Sequence, residues 1–410
     1  MKRLKRKKQH VEVHGNGFLK RETDMGKKQK LAEIHQALNC DPVDIETLRR
    51  AAVSKGGLLT DEIRRKVWPK LLNINVFDLP PKPGKDVREN HRDHNQVLLD
   101  VRRSMKRFPK GMPAAERAVL QEQLIDIILD VLKCHPQLHY YQGYHDVAVT
   151  LLLVVGERMA LALLDKLSNF HLRDFMDPTM DSTKHILNYL MPILEQVDTE
   201  LHDFMIRAEV GTIFALSWLI TWYGHVLSEF KYTLRLYDFF LASHPLMPIY
   251  LAAAIVLHRE KEVKTTECDM AMVHHLLSRI PQDLPYELLI AQAQELFDHY
   301  PPSVLAKKAA LQSRKSLSIS TFQAFQLSTL HQRPDSVLQR LTKNPGSFSR
   351  HAPSSSNMAL LPREPSSLWG QGNRVVKMAV WGLSATLGAA VFAVAQTAME
   401  WGPEVLLQLF

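Results

Sequence analysis

Apolar residues recur at three- and four-residue spacings through most of the chain. Over residues 116–134, Leu120, Leu124, Ile127, Ile128, Val131 and Leu132 share one stripe, the spacing of an amphipathic helix. Val97, Val101, Met105 and Phe108 form a second stripe, which predicts a helix over 95–108. Residues 212–223 and 234–241 are apolar nearly all round, as buried helices are. Breaks fall at Pro109, Gly111, Met112 and Pro113, at His135-Pro136, at Asp177-Pro178 and at Pro245 and Pro248. There is no run of alternating strands, no strand–glycine-rich loop–helix unit and no internal repeat. The pattern predicts an all-α, multi-helix body over residues 31–312.

Past the body the pattern changes. Residues 313–373 turn polar, and Ser347, Ser349, Ser354, Ser355, Ser356, Ser366 and Ser367 alternate with Pro345, Pro353, Pro362 and Pro365. Such a composition buries too little apolar area to offset its ordering entropy. It reads as a flexible tether with one short helix near 322–341. Residues 378–395 are then 18 positions without a charge. At about 1.5 Å per residue they span ~27 Å, close to the apolar thickness of a thin bilayer. Arg374 and Lys377 precede this run, only Glu400 and Glu404 follow it, and Trp381 and Trp401 lie near its ends. These features predict a transmembrane tail anchor over 374–401, with the bulk of the chain cytosolic and 402–410 lumenal. A buried, Ala-rich core helix is the alternative.

Charge sharpens the other end. The net +8 of the 410 residues comes from positions 1–30, where eleven Lys and Arg face three acidic residues; the rest carries 40 of each sign. Residues 1–30 therefore read as a basic, disordered tail. Its Lys2-Arg3-Leu4-Lys5-Arg6-Lys7-Lys8 run suits anionic lipid, nucleic acid or an import receptor, or is simply solvated. No apolar stretch follows it, so it does not read as a secretory signal. The body is neutral, and no nucleic-acid partner is expected. Cys40, Cys134 and Cys268 are odd in number and far apart, which argues against a disulfide framework or a zinc site and fits a reducing compartment.

Familiar catalytic motifs are missing. There is no G-x-x-x-x-G-K-[ST] phosphate loop, no G-x-G-x-x-G after a strand and no G-x-S-x-G elbow. His135, His139, His145, His274 and His275 lack H-E-x-x-H spacing and read as packing, capping or surface residues rather than metal ligands. Two constellations remain. In Val97-Leu98-Leu99-Asp100-Val101-Arg102-Arg103-Ser104, Asp100 and Arg103 lie three apart on one helix face while Val97 and Val101 face the core, so a carboxylate can aim a guanidinium outward. Alone, the pair fits an ordinary surface ion pair as well. In Tyr140-Tyr141-Gln142-Gly143-Tyr144-His145-Asp146, three tyrosines frame Gln-Gly, and Gly143 permits a turn and close approach. The Gln142 amide can both donate to and accept from water. Alone, this segment fits a packed aromatic turn. A helical hydrolase using His145 and Asp146 is a weaker reading, for no nucleophile stands nearby in a known arrangement.

Together V-x-x-D-x-x-R and Y-x-Q-G, with 39 positions from Arg103 to Gln142, resemble the paired signatures of the TBC-domain family of Rab GTPase-activating proteins. Gly57-Leu58-Leu59 and Val67-Trp68-Pro69-Lys70-Leu71-Leu72 resemble that family's first block, and Arg235-Leu236-Tyr237-Asp238-Phe239-Phe240-Leu241 a late one. The likeness covers residues 56–301. Val97 stands where the family has Ile, and Ser104 where it has Thr. The resemblance implies a helical TBC domain that stimulates GTP hydrolysis on a Rab GTPase. It implies Arg103 as an arginine finger and Gln142 as a glutamine finger, with Asp100, Tyr140 and Gly143 in support. It implies no autonomous catalysis and no cofactor of the chain's own, since GTP and Mg²⁺ would be held by the partner. The tail anchor, as in an endoplasmic-reticulum member of that family, implies membrane contact through 378–395. It also implies the endoplasmic-reticulum membrane or cis-Golgi as location, with a GTP-loaded Rab of the early secretory pathway as partner. A non-catalytic, membrane-tethered Rab-binding scaffold is the alternative.

Overall fold

The computed structural model describes residues 15–104, 107–109, 111–308 and 316–343. Among these it contains helices and turns and no strand. The first group of helices is α1 (Gly15–Asn39), α2 (Ile45–Val53) and α3 (Asp61–Leu71). Next come α4 (His94–Arg103), α5 (Ala114–Cys134), α6 (Tyr144–Val155) and α7 (Glu157–Asn169). Four short helices follow: α8 (Asp181–Leu187), α9 (Leu190–Val197), α10 (Thr199–Arg207) and α11 (Leu216–Ile220). Then come α12 (Phe230–Leu241), α13 (Met247–His258), α14 (Glu260–Thr265), α15 (Met270–Ser278), α16 (Tyr286–His299) and α17 (Pro302–Lys308). Last are α18 (Leu317–Ser328) and α19 (Asp335–Lys343).

The all-round apolar segments lie at the centre. Every residue of α13 from Met247 to Val256 is buried, and α13 packs on α9, α11, α14 and α16. Helix α6 is nearly as enclosed and rests on α3, α5 and α7. Local chemistry sets the ends. Thr60 caps α3 by accepting from the Ile63 N–H, with Asp61 and Glu62 in the first turn, where the helix dipole favours acids.

Four expectations change. Residues 15–30 are helical rather than part of a disordered tail. The packed half of α1, with Ile34, Ala37 and Leu38 buried, supplies a nucleus. Lys- and Arg-rich sequence then extends a helix at little cost per residue. Lys30 fastens α1 by donating to the carbonyls of Ser54 (3.4 Å) and Lys55 (3.0 Å).

The predicted tether is, from 316 to 343, part of the body. Ser316 caps α18 and donates to Asp174, and Phe325 stacks on Phe170 with ring centroids 4.5 Å apart. The Ser-rich composition hid Ile319, Phe322, Phe325 and Leu330, which are enough to seat one amphipathic helix on the body. The predicted helix 95–108 ends at Arg103, because Ser104 turns its hydroxyl back onto the Val101 carbonyl at 2.7 Å. The predicted helix 212–223 is broken into a 3₁₀ turn (Ile213–Ala215), α11, and a left-handed turn at Trp222 and Tyr223. Among the described residues no helix is long and apolar enough to cross a membrane. The predicted span 378–395 lies outside them, as do residues 1–14, 344–373 and 402–410.

Candidate functional site

The site is built on the C-terminal end of α4 and the loop entering α6. Val97 and Val101 anchor α4 in the core, which leaves Asp100 and Arg103 on the side facing that loop. Asp100 is 1% exposed, whereas the Arg103 side chain is 64% exposed. This is not an ordinary surface ion pair: the carboxylate is sunk into the protein and the guanidinium stands on it in solvent. Asp100 Oδ1 accepts from Arg103 Nη2 and from Gln96 Nε2 (3.0 Å), and Oδ2 accepts from the Tyr140 hydroxyl (2.9 Å). Arg103 is also the last residue of α4, where the helix dipole favours a cation.

Gly143 makes the loop possible. Its φ is +111°, and a Cβ there would sit 2.9 Å from Thr221 Cγ2. The loop is pinned on both sides of Gln142. Tyr140 binds Asp100, Tyr141 donates to the Ile220 carbonyl at 3.0 Å, and Tyr144 meets Ser168 at 2.6 Å. Gln142 itself is exposed, and among the described residues nothing hydrogen-bonds its amide. The result is two exposed polar groups, one cationic and one amide, on supports that meet at Asp100. Burial, reinforced by the Asp100 carboxylate, pushes the Tyr140 hydroxyl far above its ordinary range, so it keeps its proton and donates.

Beneath the loop lies a second charged centre. Asp146 is buried, with Arg107 Nε at 3.1 Å, His225 Nδ1 at 3.4 Å and His145 Nε2 at 3.8 Å. Burial raises the Asp146 carboxyl, but the His225 hydrogen bond, the nearby His145 imidazole and the Arg107 charge outweigh it and hold it below the usual range. Asp146 is thus shared between Arg107 and His225, and Arg107 also donates to the Gly224 carbonyl. His145 is committed to Tyr140, 3.2 Å from its Nδ1. The His145–Asp146 pair serves the support of the loop rather than a hydrolytic centre. Sequence reasoning missed Arg107, Thr221 and His225, whose lone positions give no signal. Among the described residues no group of three or more His, Cys, Asp or Glu is arranged to hold a metal ion. The three cysteines are free.

The flanking blocks form one structural clasp. Asp238, fully buried on α12, accepts from Arg64 Nε (3.0 Å) and Nη2 (2.9 Å), Trp68 Nε1 (2.9 Å) and the Leu58 N–H (3.0 Å). Arg235 reaches the last carbonyls of α2 at Ala52, Val53 and Ser54 and also grips Glu287. Gly57 has φ +56°, and a Cβ there would lie 2.5 Å from Asp238 Oδ2.

The Rab-GTPase-TBC domain family matches residues 61–264, a span holding the finger segments and, of the clasp, Arg64, Trp68, Arg235 and Asp238. Over 395 residues the chain is 60% identical to TBC1 domain family member 20 of Homo sapiens, covering 96% of this chain and 95% of that protein. The chain belongs to the RabGAP-TBC family. This TBC protein is also 61% identical to the Bos taurus TBC1 domain family member 20, over 94% of this chain and 93% of that one. It is 34% identical over 251 residues to the GTPase-activating protein gyp10 of Schizosaccharomyces pombe, covering 60% of this chain and 67% of that one. The solved YPT/Rab-GAP domain of GYP1P superposes with a TM-score of 0.54 at 16% identity, over 66% of this chain and 98% of that domain, a likeness of fold.

Proposed function

We propose that this TBC protein accelerates GTP hydrolysis on a Rab GTPase by supplying Arg103 and Gln142 in trans. The observation that carries the reading is the buried Asp100, which holds an exposed arginine through one oxygen and the glutamine loop through the other. In hydrolysis, the oxygen of a water bonds to the γ-phosphorus while the bond from that phosphorus to the β–γ bridging oxygen breaks, releasing GDP and phosphate. Arg103 neutralises charge spreading over the transferred group, and Gln142 orients the water. An arginine finger is worth ~10³–10⁵ in rate, or roughly 4–7 kcal/mol. GTP and Mg²⁺ are held by the partner. The apolar run at 378–395 supports attachment to a membrane, which we read as that of the endoplasmic reticulum, with a Rab of endoplasmic-reticulum-to-Golgi traffic as the substrate. Tethering raises effective concentration where lipid-attached Rabs share the membrane plane.

The test is phosphate release from a panel of GTP-loaded Rabs. Arg103→Ala and Gln142→Ala each abolish most of the stimulation while the fold is retained. Unchanged turnover in either variant removes that residue from the mechanism. Tight binding of the wild-type protein with no added phosphate release favours a scaffold instead.

A further inference from the structure

We propose that His145 is a positioning residue for both fingers, acting through Tyr140. The inference rests on the GTPase-activating reading above. Tyr140 has one hydroxyl proton, and its oxygen lies 2.9 Å from Asp100 Oδ2 and 3.2 Å from His145 Nδ1. A carboxylate can only accept, so the phenol proton goes to Asp100. His145 must then carry its proton on Nδ1 and donate to the phenol oxygen. His145 is buried, and its Nε2 faces Asp146 at 3.8 Å, beyond hydrogen-bond distance. Burial lowers its affinity for a second proton, despite Asp146 and Asp100 nearby.

The order of donation is therefore His145 to Tyr140 to Asp100, with Arg103 on the other carboxylate oxygen. A hydroxyl that accepts a hydrogen bond becomes a stronger donor, so His145 tightens the Tyr140–Asp100 contact. That contact is the one joint shared by the arginine and the glutamine loop, since Tyr140 stands two residues before Gln142. Removing the imidazole donor leaves Tyr140 free to rotate off Asp100 and loosens the two supports against each other. His145 touches neither finger, and its effect falls on their mutual placement.

The experiment compares full-length wild type, His145→Leu and His145→Asn on the GTP-loaded Rab that responds best in the panel. The Asn amide places an N–H near the position of Nδ1–H, whereas Leu keeps bulk and removes the donor. The expected result for His145→Leu is an on-the-order-of-tenfold loss of turnover at saturating activator, with the half-saturating concentration unchanged and with recovery in His145→Asn. Equal loss in both variants, no loss in His145→Leu, or a change confined to half-saturation overturns the proposal. A second readout needs neither variant nor partner: ¹⁵N-histidine NMR of the wild-type protein reports which ring nitrogen carries the proton. Nδ1–H is expected, and an Nε2–H tautomer overturns the assignment. Should wild type stimulate no Rab, the function reading fails, while the tautomer still decides the hydrogen-bond order.

Discussion

Replacing Asp100 by Asn tests the shared carboxylate with the smallest possible change. The side chain keeps its shape, and at 1% exposure it has nowhere to go. The amide satisfies only one of the two sides as acceptor. With Oδ1 toward Arg103 and Gln96, its NH₂ faces the Tyr140 oxygen, which can accept, while the Tyr140 proton loses its acceptor. The fold should therefore persist, and the Arg103 contact changes from an ion pair to a hydrogen bond between the guanidinium and a neutral amide oxygen. With the Arg103 side chain 64% exposed, the ion-pair part contributes about 0.5–1 kcal/mol. Its loss in holding the finger corresponds to about a 2- to 5-fold loss of stimulated turnover. The assay is single-turnover phosphate release at saturating activator, run as a double-mutant cycle with Arg103→Ala. In the Arg103→Ala background, Asp100→Asn should cost less, because only the part carried through Tyr140 and the Gln142 loop remains. A full and additive loss in both backgrounds, or undiminished turnover in Asp100→Asn, refutes the claim that Asp100 works by aiming Arg103.

Three further outcomes are expected. Gly143→Ala introduces a Cβ 2.9 Å from Thr221 Cγ2 at φ +111° and should cost ~1–3 kcal/mol with a marked loss of turnover. Adding Thr221→Ser, which deletes that methyl, should recover part of the turnover, and no recovery would remove the clash as a cause. Asp238→Ala strands Arg64, Trp68 Nε1 and the Leu58 N–H in the interior and should lower stability by ~3–5 kcal/mol in urea unfolding, against under ~1 for an ordinary surface change. His171 is buried among the rings of Trp222, Phe322 and Phe325, and burial lowers it from 6.5 to about 4. As pH falls from 6.5 toward 4 the unfolded chain takes up a proton that the folded chain refuses, so stability should fall through that window by up to about 3 kcal/mol. His171→Phe should flatten this slope in melts at stepped pH, and an unchanged slope would assign it to other groups.

Much of the architecture was legible because helical periodicity survives any tertiary arrangement. The stripe from Leu120 to Leu132 became the buried face of α5. Chain ends were read less well, because composition averages over residues that act singly. Ile319, Phe322 and Phe325 suffice to dock α18, yet the serines and prolines from 345 to 367 set the composition of the segment 313–373 as a whole. At the site, Arg103 and Gln142 stood out by register, but register says nothing about burial. That Asp100 is sunk and two-sided, and that Arg107 neutralises Asp146 from below, depends on contacts between segments 40 or so positions apart, or more.

Helices α18 and α19, the last among the described residues, also define how the body bears load. Arg49 holds Thr329 (2.9 Å), Lys70 holds Asp335 (2.8 Å), Gln332 holds the Lys70 carbonyl (2.6 Å), and Asp174 accepts from the Leu317 N–H (3.0 Å). A pull entering at Lys343 is delivered to α2, α3 and the 3₁₀ turn Arg173–Met176. None of these bonds is made by α4 or by residues 140–143. Tension on the C-terminal side of the chain is thus grounded in the frame before it reaches the fingers, whose spacing stays set by Asp100, Tyr140 and the pins of the glutamine loop.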